Sequence, residues 1–209
     1  MIDYKTINLG HGSGGLMTRD LLDEIIFKTF SNPYLDKKHD GSVVKIEGEI
    51  AISTDSFVIS PIFFKGGNIG ELAVNGTVND VAMCGAQPKY LSLTFIVEEG
   101  MKVDDFIKIV KSIKETADKS GVQIITGDTK VVERGKGDQI FINTTGFGPV
   151  NPKGYISADN IKVGDKIKTN IDEHFLDGII HEEDGKLGLL FKHSNFFIKL
   201  ERPKFLKSN

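Results

Sequence analysis

Apolar residues follow two rhythms over the first 150 positions, one at helical spacing and one alternating, and the two take turns. In "GLMTRDLLDEIIFKTF" (15–30), Leu16, Leu21, Leu22, Ile25, Ile26 and Phe30 fall largely on one helical face, which predicts an amphipathic helix directly after the glycine-rich "GHGSGG". Asn, Pro, Asp and Gly break the pattern in "SNPYLDKKHDGS" (31–42). "VVKI" and "AISTD" then predict two short β-branched strands around a turn at "EGE". The stretch "GGNIGELAVNGTVNDVAMCGAQP" has glycines before and Gly85 and Pro88 after, leaving room for a helix of about 15 residues. "KYLSLTFIV" predicts a strand, "VDDFIKIVKSIKETADKS" an amphipathic helix stopped at Gly121, and "VQIITGD" and "QIFINTTGFG" two more strands. Strands alternating with helices predict an α/β (α+β) domain filling residues 1–150. From 151 onward the pattern weakens, and "LLFKHSNFFIKL" predicts at most a strand or a short helix.

Composition narrows the function classes. At 209 residues with 39% apolar and 26% charged positions, the chain suits one good core and a small second unit. Its net charge of −3, with basic residues scattered among acids, argues against a nucleic-acid or anionic-membrane surface. No apolar run approaches the roughly 18 residues of a membrane span, and "MIDYKTINLGHGSGG" has no signal pattern. A cytoplasmic protein is expected. Cys84 is the single cysteine, which excludes an internal disulfide framework and a cysteine zinc cluster and predicts a small buried side chain.

The candidate chemistry lies in four acids. Asp40 sits in the loop "KHDGSVV", Asp55 ends "AISTD", Asp80 lies in the predicted helix, and Asp128 ends "IITGD". An aspartate inside a helix is disfavoured by propensity, so Asp80 needs a solvent face or a task. Carboxylates gathered where strands meet loops suit magnesium, which takes oxygen ligands, keeps waters and shares substrate phosphates. Gly76 and Asp80 are four apart and share a helix face, placing the carboxylate beside bare backbone. Lys130 points to the side of Asp128 if that strand continues, offering a cation to phosphate oxygens. "ERGKG" (133–137) adds Arg134 and Lys136. "GHGSGG" has neither the lysine-threonine ending of a Walker loop nor the spacing of a Rossmann fingerprint. His11 is expected as a loop residue, and Glu98 and Glu99 as acids opening a helix. Ser13, with no His/Asp partner suggested, is not expected as a nucleophile.

Three strings carry a resemblance: "HGSGG", "STDSFVISPIFFKGGNIGELAVNGTVNDVAMCGAQPKYLSLTFIVEEG" and "IITGDTKVVERGKGDQIFINTTGFG". Over residues 8–150 the chain resembles the hydrogenase expression/formation proteins of the HypE family, within the PurM-like ATP-binding superfamily. The resemblance implies a PurM-like N-terminal domain, a mixed sheet flanked by helices, and a homodimer whose strands form a barrel. It implies ATP and Mg²⁺ as cofactors, with Asp40, Asp55, Asp80 and Asp128 as metal ligands. Nucleotide contacts are implied at Gly12, Ser13, Gly14, Gly15, Gly76 and Lys130, and no individual catalytic residue is singled out. The implied activity is ATP-dependent dehydration of a carboxamide on a C-terminal cysteine to a thiocyanate, the source of the cyanide ligand of nickel-iron hydrogenase. The implied partners are the carbamoyltransferase HypF, which delivers the carboxamide, and the HypC–HypD scaffold. A kinase of the same superfamily, such as thiamine-monophosphate kinase, and a non-catalytic dimerisation or docking module stay open as alternatives.

"SADNIKVGDKI" (157–167) still resembles the family, whereas "KTNIDEHFLDGIIHEEDGKLGLLFKHSNFFIKLERPKFLKSN" departs from it. Residues 151–209 are therefore expected to be a divergent or truncated remnant in place of the family's second domain and terminal cysteine, with a frameshift or truncation as the origin. The corresponding expectation is a chain that binds ATP without completing the cyanide-forming reaction.

Overall fold

The computed structural model describes residues 4–152 and 162–164, together with the backbone of strands at 166–171, 174–183, 186–191 and 197–199. Two units result, Met1–Tyr155 and Ile156–Asn209.

In the first unit each helix follows a local signal. Asn68 caps α3 (Ile69–Met83), its side chain accepting the N–H groups of Gly70 and Glu71, so the helix has the 15 residues the flanking glycines allow. The apolar stripe of α4 (Val103–Ser120) buries Phe106, Ile109, Val110, Ile113 and Ala117, and Gly121 closes the helix at φ +70°. The first predicted helix is one helical run in three parts: α1 (Leu16–Leu21), a π-helical segment (Leu22–Phe27) and α2 (Lys28–Phe30). The wider turn of the middle part lets Leu21, Ile25 and Phe30 all reach the core.

The helices flank one mixed sheet. Its strands β1 (Ile50–Phe57), β4 (Tyr90–Glu98), β5 (Gln123–Val132) and β6 (Ile140–Pro149) lie in the order β1-β6-β4-β5. β6 is antiparallel to both β1 and β4, and β4 runs parallel to β5 through the α4 crossover. A small hairpin, β2 (Phe63–Phe64) with β3 (Gly67–Asn68), leads into α3. Leu91, Leu93, Phe95 and Val97 of β4 and Ile140 and Ile142 of β6 are buried in one core with the helices. The alternate positions form the opposite face of the sheet, where Ile52 is 61% and Ile96 37% exposed.

Several expectations need correction. "VVKI" forms no strand: Val43 is 89% exposed, and no ladder partner meets the segment before Ile50. Its β-branched composition is a preference that only a neighbouring strand can realise. Asp55 and Asp128 lie inside their strands, because β1 continues to Phe57 and β5 to Val132. Glu98 and Glu99 open no helix; α4 begins later, with Asp104 and Asp105 in its first turn. Cys84 is half-buried at the C-cap of α3, short of full burial.

In the second unit, β7 (Lys166–Ile171), β8 (His174–Glu183), β9 (Lys186–Phe191) and β10 (Phe197–Lys199) form an antiparallel sheet in the order β10-β9-β8-β7. The stretch expected to add at most one element contributes to two strands, because β9 pairs with β8 and β10 with β9, and such pairing supplies hydrogen bonds that local alternation does not reveal.

Candidate functional site

The predicted site residues gather into two groups. In the first, β1 meets the last turns of α3. Ser53 and Asp55 alternate with the open-face residues of β1 and so point toward α3. Ser53 Oγ donates to Asp80 Oδ2 at 3.1 Å, and Asp55 Oδ1 accepts the Ser56 N–H at 2.7 Å. Asn143 Nδ2 donates to the Asp55 carbonyl at 2.9 Å and holds the strand there. Among the described residues no cation pairs with Asp80, although it sits at the negative end of the helix dipole. Gly76 joins this group for a packing reason: a Cβ there would stand 2.9 Å from Phe57 Cζ and 3.8 Å from Asp55 Oδ2. The Phe57 ring thus packs against the half-buried Gly76 backbone on the side a Cβ would occupy.

The second group surrounds β5. Asp128 Oδ1 accepts the Thr129 N–H at 2.9 Å, and Lys130 Nζ lies 2.9 Å from Asp128 Oδ2. The strand does continue, so alternation sets both side chains on one face, in register with Thr94 and Ile96 of the open face. The glycine-rich segment packs against the same strand as a capped 3₁₀ turn, Leu9–Gly12. A Cβ on Gly12 would stand 2.7 Å from the Val131 backbone nitrogen, so only glycine permits this approach. Ser13 Oγ donates to the Gly10 carbonyl at 3.0 Å, and the Gly14 N–H donates to Thr18 Oγ1 at 2.9 Å. Gly12 and Gly14 border a cavity of about 230 Å³ together with Thr18, Asp128 and Lys130. Ser13 and Gly15 are exposed beside them.

Asp40 belongs to neither group as a contact. It is exposed in the loop before Ser42, whose hydroxyl donates to the Ile125 carbonyl and anchors the loop to β5. Within one chain the four acids do not converge. Asp55 and Asp128 occupy the two outer strands and opposite faces of the sheet, about 14 Å apart at three strand spacings. Among the described residues no three His, Cys, Asp or Glu side chains form a metal cluster. The oxygen donors Asp55, Asp80 and Ser53 nevertheless fit magnesium chemistry, which needs only one or two carboxylates when phosphates and waters complete the shell.

His11 and Glu98 act as structural devices. His11 is fully buried, with Nδ1 accepting the Asn8 N–H at 3.0 Å and its ring 4.1 Å from that of Tyr4. Glu98 organises the loop after β5: Oε1 accepts the Gly135 N–H at 2.8 Å and Oε2 the Gln139 N–H at 3.4 Å. Those backbone donors, Gly135 first, with help from the Arg134 guanidinium, hold the Glu98 carboxyl below its ordinary range. Arg134 packs over Gly100, where a Cβ would meet its Nη2 at 2.7 Å, close enough to Glu98 for its charge to act on that carboxyl. The sequence signal for Glu98 was slight, a strand-terminal acid 37 positions before its partner Gly135.

A mixed sheet in the order β1-β6-β4-β5 with one face under helices defines an α/β domain, with Asp55 and Asp128 on its two outer strands. Residues 38–150 match the family model for AIR synthase related protein, N-terminal domain, and the chain belongs to that family, its first unit being of the HypE type. It is 48% identical over 169 residues to the hydrogenase expression/formation protein HupE of Azotobacter chroococcum mcd 1, covering 79% of this chain and 50% of that one. It is 47% identical over 163 residues to the carbamoyl dehydratase HypE of Azotobacter vinelandii, covering 78% and 48%. A solved structure of hydrogenase maturation protein HypE in complex with ATP is similar at TM-score 0.74 and 47% identity, covering 77% of this chain and 48% of that one. HypE in a HypE–HypF complex is similar at TM-score 0.55 and 47% identity, covering 71% and 48%. A thiamine-monophosphate kinase from Stenotrophomonas maltophilia K279a, at TM-score 0.53, 19% identity and coverage of 71% and 47%, shares the fold alone. The chain spans about half the length of the curated relatives it matches. Among the described residues no helix is long and apolar enough to cross a membrane.

Proposed function

We propose that the first unit binds ATP with Mg²⁺ as the nucleotide-holding part of a HypE-type maturation protein acting in the cytoplasm. The observation that carries the reading is the division of the site residues into an acid pair on β1 and α3 and a lysine-and-glycine group on β5. A solved relative in complex with ATP supports the choice of nucleotide. Asp55 and Asp80 would hold the metal, with Ser53 fixing the Asp80 carboxylate. Lys130 would meet phosphate oxygens beside the glycine turn, exchanging its contact with Asp128 for theirs. When bound, magnesium-ATP supplies the phosphoryl group that activates the oxygen of a cysteine-linked carboxamide, whose departure leaves a thiocyanate.

The functional unit we propose is a homodimer joined through the open sheet face, where Ile50, Ile52 and Ile96 are exposed. A two-fold interface on that face would bury these apolar side chains, which one chain leaves to water. HypF is the proposed partner for delivery of the carboxamide, on the strength of the HypE–HypF complex of a relative, with the HypC–HypD scaffold downstream. Calorimetry of ATP with and without Mg²⁺, with light scattering of the same sample, tests both statements. Mg²⁺-dependent heat from a dimer is expected; no heat, or binding by a clean monomer, would overturn the corresponding one.

A further inference from the structure

β5 carries an irregularity that decides which way its functional side chains face. Leu91 of β4 pairs with Ile124 and Ser92 pairs with Thr126, so Ile125 is an extra residue with no partner in β4. Ile124 and Ile125 are both buried, at 4% and 2% exposure, where a regular strand turns successive residues to opposite faces. Steps of two from the buried Ile124 would carry Thr126, Asp128 and Lys130 to the core face. The extra residue reverses that phase, and Asp128 and Lys130 pair with Thr94 and Ile96 of the open face. Without the bulge, a strand that buries Ile124 would also turn an aspartate and a lysine toward apolar side chains, and burying those charges is costly.

Two side chains from the segment between α2 and β1 hold this bulge. Asn32 Nδ2 donates to the Ile124 carbonyl at 2.8 Å, and the Ser42 hydroxyl donates to the Ile125 carbonyl. β5 is an outer strand, and an extra residue disrupts the ladder locally, so its backbone oxygens need donors from elsewhere. Asn32 is itself locked in place: Nδ2 also donates to the Phe30 carbonyl at 2.8 Å, and Oδ1 accepts the Tyr34 N–H at 2.9 Å. Ser42 stands two residues after Asp40, so its hydroxyl ties the loop of that acid to the strand of Asp128. Just beyond the bulge, a Cβ on Gly127 would run into the Leu93 carbonyl oxygen, and the glycine lets β5 return to close pairing with β4.

We propose that Asn32 and Ser42 are positioning residues of the nucleotide site: they hold the bulge at Ile125, and the bulge sets Asp128 and Lys130 on the open face. The inference rests on the ATP reading above for what that pair is used for, while the clamp itself is testable without a nucleotide. Both residues act through β5, and neither is assigned a contact with the ligand.

The test compares the wild-type chain with Ser42→Ala and Ser42→Thr. Ser42→Ala gives up one hydrogen bond of a half-buried loop residue and no core contact, so it should fold. Its nuclear Overhauser contact between Ile96 and Lys130 should weaken while those among Leu91, Leu93 and Phe95 persist. Affinity for ATP with Mg²⁺ should fall by about tenfold, the scale on which a supporting group behind a ligand acts. Ser42→Thr keeps the hydroxyl and should keep both the contact and the affinity. Asn32→Asp keeps the acceptor for Tyr34 and removes the donor to Ile124, and it should repeat the Ser42→Ala signature. An Ile96–Lys130 contact unchanged in Ser42→Ala, or lost equally in Ser42→Thr, overturns the clamp, whatever happens to ATP. A wild-type chain that binds no ATP while the contact responds as expected removes the nucleotide reading and leaves the clamp standing.

Discussion

Ser53 Oγ donates to Asp80 Oδ2 at 3.1 Å, fastening an outer strand to the last turns of α3 through a carboxylate that has no cation beside it among the described residues. An acid near a helix C-terminus opposes the dipole, so the fold gains little from its charge. Asp80→Asn keeps a hydrogen-bond acceptor for Ser53 and removes the charge. Its melting temperature is expected to stay level or rise slightly, while Mg²⁺-dependent ATP affinity falls by about tenfold or more, the scale on which even a supporting group weakens a metal site. Unchanged affinity in calorimetry would remove Asp80 from the site.

Lys130 offers the opposite separation of binding from stability. Its partner Asp128 lies 2.9 Å away, with side chains 62% and 51% exposed, and an exposed pair of this kind contributes at most about 1 kcal/mol. Lys130→Met should therefore melt close to the wild-type temperature. Nucleotide affinity should fall, and its dependence on salt should flatten, because a charge-to-phosphate contact has been lost. A variant whose affinity has the same salt slope as the wild type would place the phosphates elsewhere.

Gly76 separates packing from ligand access. With Phe57 Cζ only 2.9 Å from the Cβ position, Gly76→Ala must displace a buried ring, at a cost of about 1–3 kcal/mol. Phe57→Leu makes room, so the double variant should be more stable than the two single losses sum to, a coupling that denaturant melts of all four proteins measure. Lost ATP affinity at full stability in Gly76→Ala would instead restore the glycine as a ligand approach.

These outcomes show which features a sequence exposes. α3 and α4 were legible because their determinants are local: the Asn68 cap, the apolar stripe of α4 and the positive φ of Gly121 lie within or beside each helix. Lys130 was placed beside Asp128 by the period of a strand alone. The interior positions of Asp55 and Asp128 were not legible, since strand length is decided by partners: Asp55 pairs with Thr144, 89 positions on. "VVKI" failed for the converse reason, having strand-forming residues and no partner. The parting of the acids onto two faces depends on the order β1-β6-β4-β5, which is a property of the assembled sheet. The π-helical segment escaped because Leu22, Ile25 and Ile26 within it also satisfy an ordinary helical stripe.

Glu98 carries a pH dependence whose sign its partners fix. Its carboxylate accepts the Gly135 N–H at 2.8 Å, and the loop donors together hold its pKa below the ordinary glutamate value of 4.5, Gly135 contributing most and partial burial opposing them. A carboxyl with a folded pKa below its unfolded value stabilises the folded form while ionised. That contribution is complete above 4.5 and is lost as pH falls through the depressed folded value. Because Glu98 meets one loop at the surface, the loss should be local: the Gly135 and Gln139 amide signals should titrate with a midpoint below 4.5 while the core signals stay fixed. Glu98→Gln should abolish that titration and leave the loop amides less protected from hydrogen exchange even at neutral pH. A wild-type midpoint above 4.5, or amides that titrate equally in the variant, would show that another group governs the loop.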